Sequence, residues 1–196
     1  YPRYAFGWQV LGVVLQLQGR VAEALLPMQK AAELMPGDAD SHNNLGVTFH
    51  KLGQLYSSEE SFLRALKLRP IYAEAHNNLG AVFFDQARFS EAELCFRQAL
   101  KLKPGYAEAQ MNLGRLCAFM DRPDEATLAY QTALSVDPNN VGLEAAICLA
   151  VHHYLEMNFL MLGEMLRVSR AITDKTYTQK KSLQTSSTSK AQSDPS

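Results

Sequence analysis

The sequence predicts an all-α solenoid of antiparallel helix pairs, and three recurrences carry that expectation. A Leu-Gly pair returns as Leu11-Gly12, Leu45-Gly46, Leu79-Gly80 and Leu113-Gly114, in steps of 34 residues. Alanines share one phase at Ala31, Ala65, Ala99 and Ala133. Prolines follow at Pro2, Pro36, Pro70, Pro104 and Pro138. Self-similarity at a period of about 20–50 residues marks an array in which each unit buries its apolar face against its neighbours.

Residues 1–4, with Pro2 one period ahead of Pro36, are expected to be the end of a preceding repeat. Four full units follow as 5–38, 39–72, 73–106 and 107–140. Within each, apolar positions recur at helical spacing in two blocks, over about the first fourteen residues and again from about the eighteenth. Breakers such as Gly19-Arg20, Gly53-Gln54 and Asp121-Arg122-Pro123 separate the blocks, so each unit reads as helix, short turn, helix. Pro123 suits a first helical turn, where a missing N–H costs nothing. Ser90 and Glu93 have the spacing of a capping box for another second helix.

Gly12, Gly46, Gly80 and Gly114 all fall within helices, where glycine costs about 1 kcal/mol relative to alanine. Close approach of the second helix is the expected compensation. The small residues Ala24, Ser58, Ala92 and Ala126 supply its surface, and Met28, Phe62, Phe96 and Tyr130 fill the space four residues later. This pattern resembles the tetratricopeptide repeat, a helix-turn-helix with Trp, Leu-Gly, Tyr, Ala, Phe, Ala and Pro at fixed places. Trp8, Leu11, Gly12, Ala24, Ala31 and Pro36 match in the first unit, and Leu79, Gly80, Ala92, Phe96, Ala99 and Pro104 in the third. The resemblance implies a right-handed superhelix with a concave groove for a peptide or protein, and it is silent on which one.

Beyond the fourth unit, Val141 to Glu156 and Phe159 to Ala171 keep helical periodicity without the Leu-Gly pair, so 141–172 reads as a degenerate capping pair. From 173 to 196 the composition turns to Ser, Thr, Lys and Gln, with too little apolar surface to offset ordering entropy; this tail reads as disordered.

A net charge of −1 with mixed signs provides no basic face for nucleic acid. Apolar runs such as 143–151 are too short to cross a bilayer. Cys95, Cys117 and Cys148 are widely spaced within apolar stretches and read as reduced buried thiols, which suits the cytoplasm. His42 and His76 occupy the place of Trp8 and read as half-buried packing residues, while the adjacent His152 and His153 point different ways around a helix. The sequence contains no phosphate loop, no metal-ligand spacing and no nucleophile with a base that can be placed beside it, so no enzyme activity, cofactor or metal is expected.

Candidate binding residues come from the face of each first helix opposite the Leu-Gly seam. Asn44, Asn78 and Asn112 share one position, with Asn43 and Asn77 beside them; Asp40, Glu74 and Glu108 share another. Lys51, Asp85 and Arg115 complete the face. Asparagine is a mediocre helix former, and two explanations for its return are open. Each amide either bonds a neighbouring helix and sets repeat geometry, or presents donors and acceptors to the backbone of an extended peptide. The row resembles the asparagine ladder in the tetratricopeptide superhelix of O-linked N-acetylglucosamine transferases, on Asn44, Asn78 and Asn112 only; Val10 breaks it in the first unit. The Lys, Asn and Arg clamp of chaperone-binding members is matched only at its asparagine. The expected function is therefore a noncatalytic protein or peptide scaffold. The alternatives are the substrate-recognition arm of a larger enzyme, such as a glycosyltransferase or sulfotransferase, and a self-assembling adaptor that associates through array ends.

Overall fold

The computed structural model describes residues 2–136 and residue 167. The expected capping pair over 141–172, the tail over 173–196, Cys148, His152 and His153 lie outside the described backbone, apart from the single helical position at 167. Among the described residues eight helices follow one another: α1 (Pro2–Leu17), α2 (Val21–Leu34), α3 (Ala39–Lys51), α4 (Leu55–Leu68), α5 (Ala73–Asp85), α6 (Phe89–Leu102), α7 (Ala107–Phe119) and α8 (Pro123–Val136). No strand occurs among the described residues. This is an α-solenoid of four helix pairs. The helices of a pair make the most extensive contacts, and each second helix then packs on the next first helix. First helices also touch one another in succession, whereas successive second helices are held further apart. The row α1, α3, α5, α7 is therefore the inner side of the stack.

The glycines behave as the close-approach reading requires. A Cβ added at Gly12 would stand 2.8 Å from Met28, at Gly46 2.7 Å from Phe62, at Gly80 2.7 Å from Phe96 and at Gly114 2.5 Å from Tyr130. Ala24, Ala92 and Ala126 are fully buried opposite them, as are the phased alanines 31, 65, 99 and 133. Ser58 takes the small-residue place in the second pair, and its hydroxyl donates to the Gly46 carbonyl at 2.8 Å, which satisfies a buried polar group.

One turn geometry joins every pair. A residue in the left-handed region is followed by one whose N–H returns five residues to a helix carbonyl: Arg20 to Leu15, Gln54 to Phe49, Arg88 to Phe83 and Arg122 to Cys117, all 2.8–2.9 Å. This is a Schellman closure. Glycine fills the left-handed place at Gly19 and Gly53, but Ala87 and Asp121 fill it in the later pairs, with φ of 59° and 55°.

α1 is helical from Pro2. One local expectation is corrected. The capping box at Ser90 does not form: α6 starts at Phe89 behind Arg88, and no side chain caps it. The Schellman closure fixes that start, and Glu93 is drawn away by Arg122 and Arg97. A side-chain cap appears instead at α3, where Asp38 accepts from the Ser41 N–H at 2.9 Å. Pro123 opens α8 as expected.

Candidate partner-binding face

Helical spacing turns the same side of α3, α5 and α7 away from their second helices. On it the asparagines are paired across repeats. Asn78 Nδ2 donates to Asn43 Oδ1 at 3.2 Å, and Asn112 Nδ2 donates to Asn77 Oδ1 at 3.0 Å. Asn77 is only 1% exposed and also donates towards Glu108 Oε1 at 3.3 Å. Asn43, Asn77 and Asn112 are thus buried inter-helix ties, and Asn78 is half-buried with its amide committed. Asn44 differs. It is half-buried, and its side chain makes no hydrogen bond among the described residues; only its backbone carbonyl is used, accepting from the Thr48 hydroxyl at 2.8 Å and from Gln16 Nε2 at 3.5 Å.

The acidic position at the start of each first helix is also engaged. Asp40 receives both terminal nitrogens of Arg69, at 3.0 and 2.9 Å, and the Tyr72 hydroxyl at 2.6 Å. Hydrogen bonding by Arg69 holds the Asp40 carboxyl below its ordinary range, while burial and then Asp40 push the Tyr72 phenol up. Lys103 repeats the contact with Glu74 at 3.1 Å, its ammonium 4.6 Å from the Tyr106 ring centre. The basic residue and the tyrosine recur at the same 34-residue period as the Leu-Gly pair, a signal present in the sequence but unused above.

Towards the helix ends, His50 Nε2–H donates to Asp85 at 2.7 Å. Lys51 is exposed and without a partner among the described residues. Arg115 is exposed, with Nη1 3.5 Å from Asn112 Oδ1 and its guanidinium 5.5 Å from the centre of the Phe84 ring. Of the eight residues expected to form a groove site, the structure therefore commits five to contacts within the repeats and leaves Asn44, Lys51 and Arg115 available.

Two clefts open on the other side, where second helices splay. One of about 560 Å³ lies between α2 and α4 above α3, lined in part by Gln29, His42, Ser61 and Arg64; its counterpart of about 430 Å³ lies between α6 and α8. His42 there turns its ring nitrogen to the Pro36 carbonyl at 3.1 Å, as His76 does to Pro70 at 3.0 Å. A carbonyl only accepts, so Nε2 carries the proton in both. These histidines tie a first helix to the loop before it. Burial pushes the Cys95 thiol up to about 11 and raises Cys117 as well, so neither offers a thiolate. Among the described residues no three His, Cys, Asp or Glu side chains are grouped to hold a metal ion, and no helix is long and apolar enough to cross a membrane.

Models of the tetratricopeptide repeat match residues 39–72, 73–106 and 107–140, three of the four units and more than half of the chain. The chain belongs to the tetratricopeptide repeat family. Tetratricopeptide repeats serve generally as protein-interaction scaffolds. No curated protein matches the sequence. Among solved structures, Pseudomonas aeruginosa pilF is 25% identical, with a TM-score of 0.70 over 78% of this chain and 69% of that one. MamA is 24% identical, TM-score 0.64, over 76% and 81%. The first tetratricopeptide repeat domain of Spaghetti (RPAP3), solved bound to an HSP90 peptide, is 19% identical, TM-score 0.58, over 60% and 94%. The last two likenesses concern the fold alone.

Proposed function

We propose that this chain is a noncatalytic scaffold that holds an extended peptide, or an extended segment of a protein, along the inner face of α3, α5 and α7. The observation that carries this reading is the division of labour on that face. Asn43, Asn77, Asn78 and Asn112 tie the helices together, while beside them the side chains of Asn44 and Lys51 have no partner among the described residues and Arg115, touching Asn112 at 3.5 Å, has no carboxylate partner among them. A tied row gives a rigid surface, and rigid surfaces bind without the cost of ordering their own side chains. That the repeat domain of Spaghetti (RPAP3), of the same fold, binds a peptide supports the mode and not the ligand. Reduced Cys95 and Cys117 suit a cytoplasmic setting. A substrate-recognition arm of a larger enzyme would use the inner face in the same way.

The test is a titration of isotope-labelled protein with a library of random ten-residue peptides. Shifts in amide signals are expected on α3, α5 and α7, and Asn44→Ala with Arg115→Ala should weaken the binding about tenfold with unchanged melting. Binding confined to other helices, or indifferent to both substitutions, would overturn the proposal.

A further inference from the structure

The inner face is not uniform along its helices. At the helix starts every carboxylate is engaged: Asp40 by Arg69 and Tyr72, Glu74 by Lys103, Glu108 by Tyr106 and Asn77. Towards the helix ends Asp85 is taken by His50. Lys51 and Arg115 have no carboxylate among the described residues. Lys51 and Arg115 are therefore the cations on this face without an acidic partner, both towards the helix ends, while Glu108 keeps its negative charge at the start of α7, since Tyr106 and Asn77 are neutral.

An aromatic platform stands beside Arg115. Phe84 lies 5.7 Å from Phe119 and 5.8 Å from Phe89 by ring centres, both edge-on, and Phe89 lies 4.9 Å from Phe119. Phe119 is nevertheless 64% exposed. An exposed ring braced by two others presents apolar area that loses little freedom on binding, which is how aromatic anchors act at interfaces. The Arg115 guanidinium above Phe84 keeps its planar fork, the geometry that receives a carboxylate through two parallel bonds.

We infer that the segment held on this face is acidic and carries a large apolar or aromatic side chain beside one of its carboxylates. That side chain packs on Phe119 and Phe84, its neighbouring carboxylate meets Arg115, and a second carboxylate reaches Lys51. The inference rests on the reading that the face takes an extended chain. Lys51 and Arg115 stand on first helices two steps apart; at about 8–10 Å per helix the span is about 16–20 Å, or about five or six extended residues at ~3.3 Å each.

Fluorescence anisotropy with the full chain and three labelled peptides tests it. The first has two Glu about six residues apart with Phe beside the second; another replaces both Glu by Lys; the third replaces Phe by Ala. The Glu-Phe peptide should bind most tightly, the Ala version about fivefold more weakly and the Lys version not measurably. Arg115→Glu should weaken the Glu-Phe peptide at least about tenfold with the melting temperature unchanged, since its side chain is exposed, and Phe119→Ser about fivefold, measured at a temperature where its helical signal equals the parent's, since it gives up ring contacts with Phe84 and Phe89. Equal binding of the Glu and Lys peptides, indifference to Arg115→Glu, or no binding of the Glu-Phe peptide would overturn the inference. If the Lys peptide shifts amide signals on α3, α5 and α7 where the Glu peptide does not, the wider reading of the face survives; if bound peptides shift signals only elsewhere, both fall.

Discussion

Glycine and alanine trade places against expectation at two points of the third repeat. Gly80 sits mid-helix, where alanine would be the better helix former, because a Cβ there would lie 2.7 Å from Phe96 and 3.2 Å from the Ala92 carbonyl. Ala87 sits in the turn, with φ of 59°, where its Cβ crowds the following carbonyl at a cost of roughly 1–2 kcal/mol. The two substitutions should therefore have opposite signs. Gly80→Ala is expected to destabilise by about 1–3 kcal/mol through overpacking. Ala87→Gly should stabilise by roughly 0.5–1 kcal/mol, the relieved strain less the added freedom of the unfolded chain. Thermal melts of both variants against the parent check the signs; a lower melting point for Ala87→Gly would refute the turn argument. The glycines were legible in the sequence because sterics at a close contact admit one residue type. The turn at Ala87 was not, because neither Gly nor Pro marks it.

Neighbouring elements are fastened on the turn side by arginines that open the second helices. Arg88 reaches Glu59 of the previous second helix at 2.8 Å and Arg122 reaches Glu93 at 2.9 Å, the same place one repeat on. Glu93 also accepts from Arg97 at 2.7 Å, and its side chain is only 20% exposed. Bonds from Arg122, then from Arg97, hold its carboxyl down to about 2 against an unfolded value near 4.5. The unfolded chain thus takes up the proton first, so this contribution is complete above about pH 5, declines as pH falls below 4.5 and is gone near pH 2. Glu93→Gln should cost on the order of 1–2 kcal/mol at neutral pH after allowance for solvent screening. Urea unfolding of parent and variant at several pH values should show the gap closing between pH 5 and 2; a gap of constant size would assign the loss to shape and not charge. Sequence spacing placed Glu93 in a capping box because it sees only residues three apart. The partner that wins is in the next repeat.

Across the whole stack, the 34-residue period says which residues are equivalent but not which ones meet. The amide pairs join residues 35 apart, Asn43 to Asn78 and Asn77 to Asn112, because the crossing of successive first helices sets one position against the next. A reading in register therefore groups Asn44, Asn78 and Asn112 as one row, when the contacts split them into two tied amides and one free. Stability in a stack is close to a sum of unit terms and nearest-neighbour terms, so these ties should appear as coupling between repeats. Asn77→Ala removes the acceptor of a buried amide on α7 and should cost about 1–3 kcal/mol, because the Asn112 donor is left without a partner. The same change at Asn44 should stay within about 0.5 kcal/mol, since no side-chain bond is lost. The Asn77 variant should also unfold over a broader denaturant range, as α7 and α8 part from the units before them. Denaturant curves followed by helical signal and by tyrosine fluorescence make the comparison. Equal losses at both positions would mean that the amides are not what couples the repeats, and that Asn44 is no freer for a partner than its neighbours.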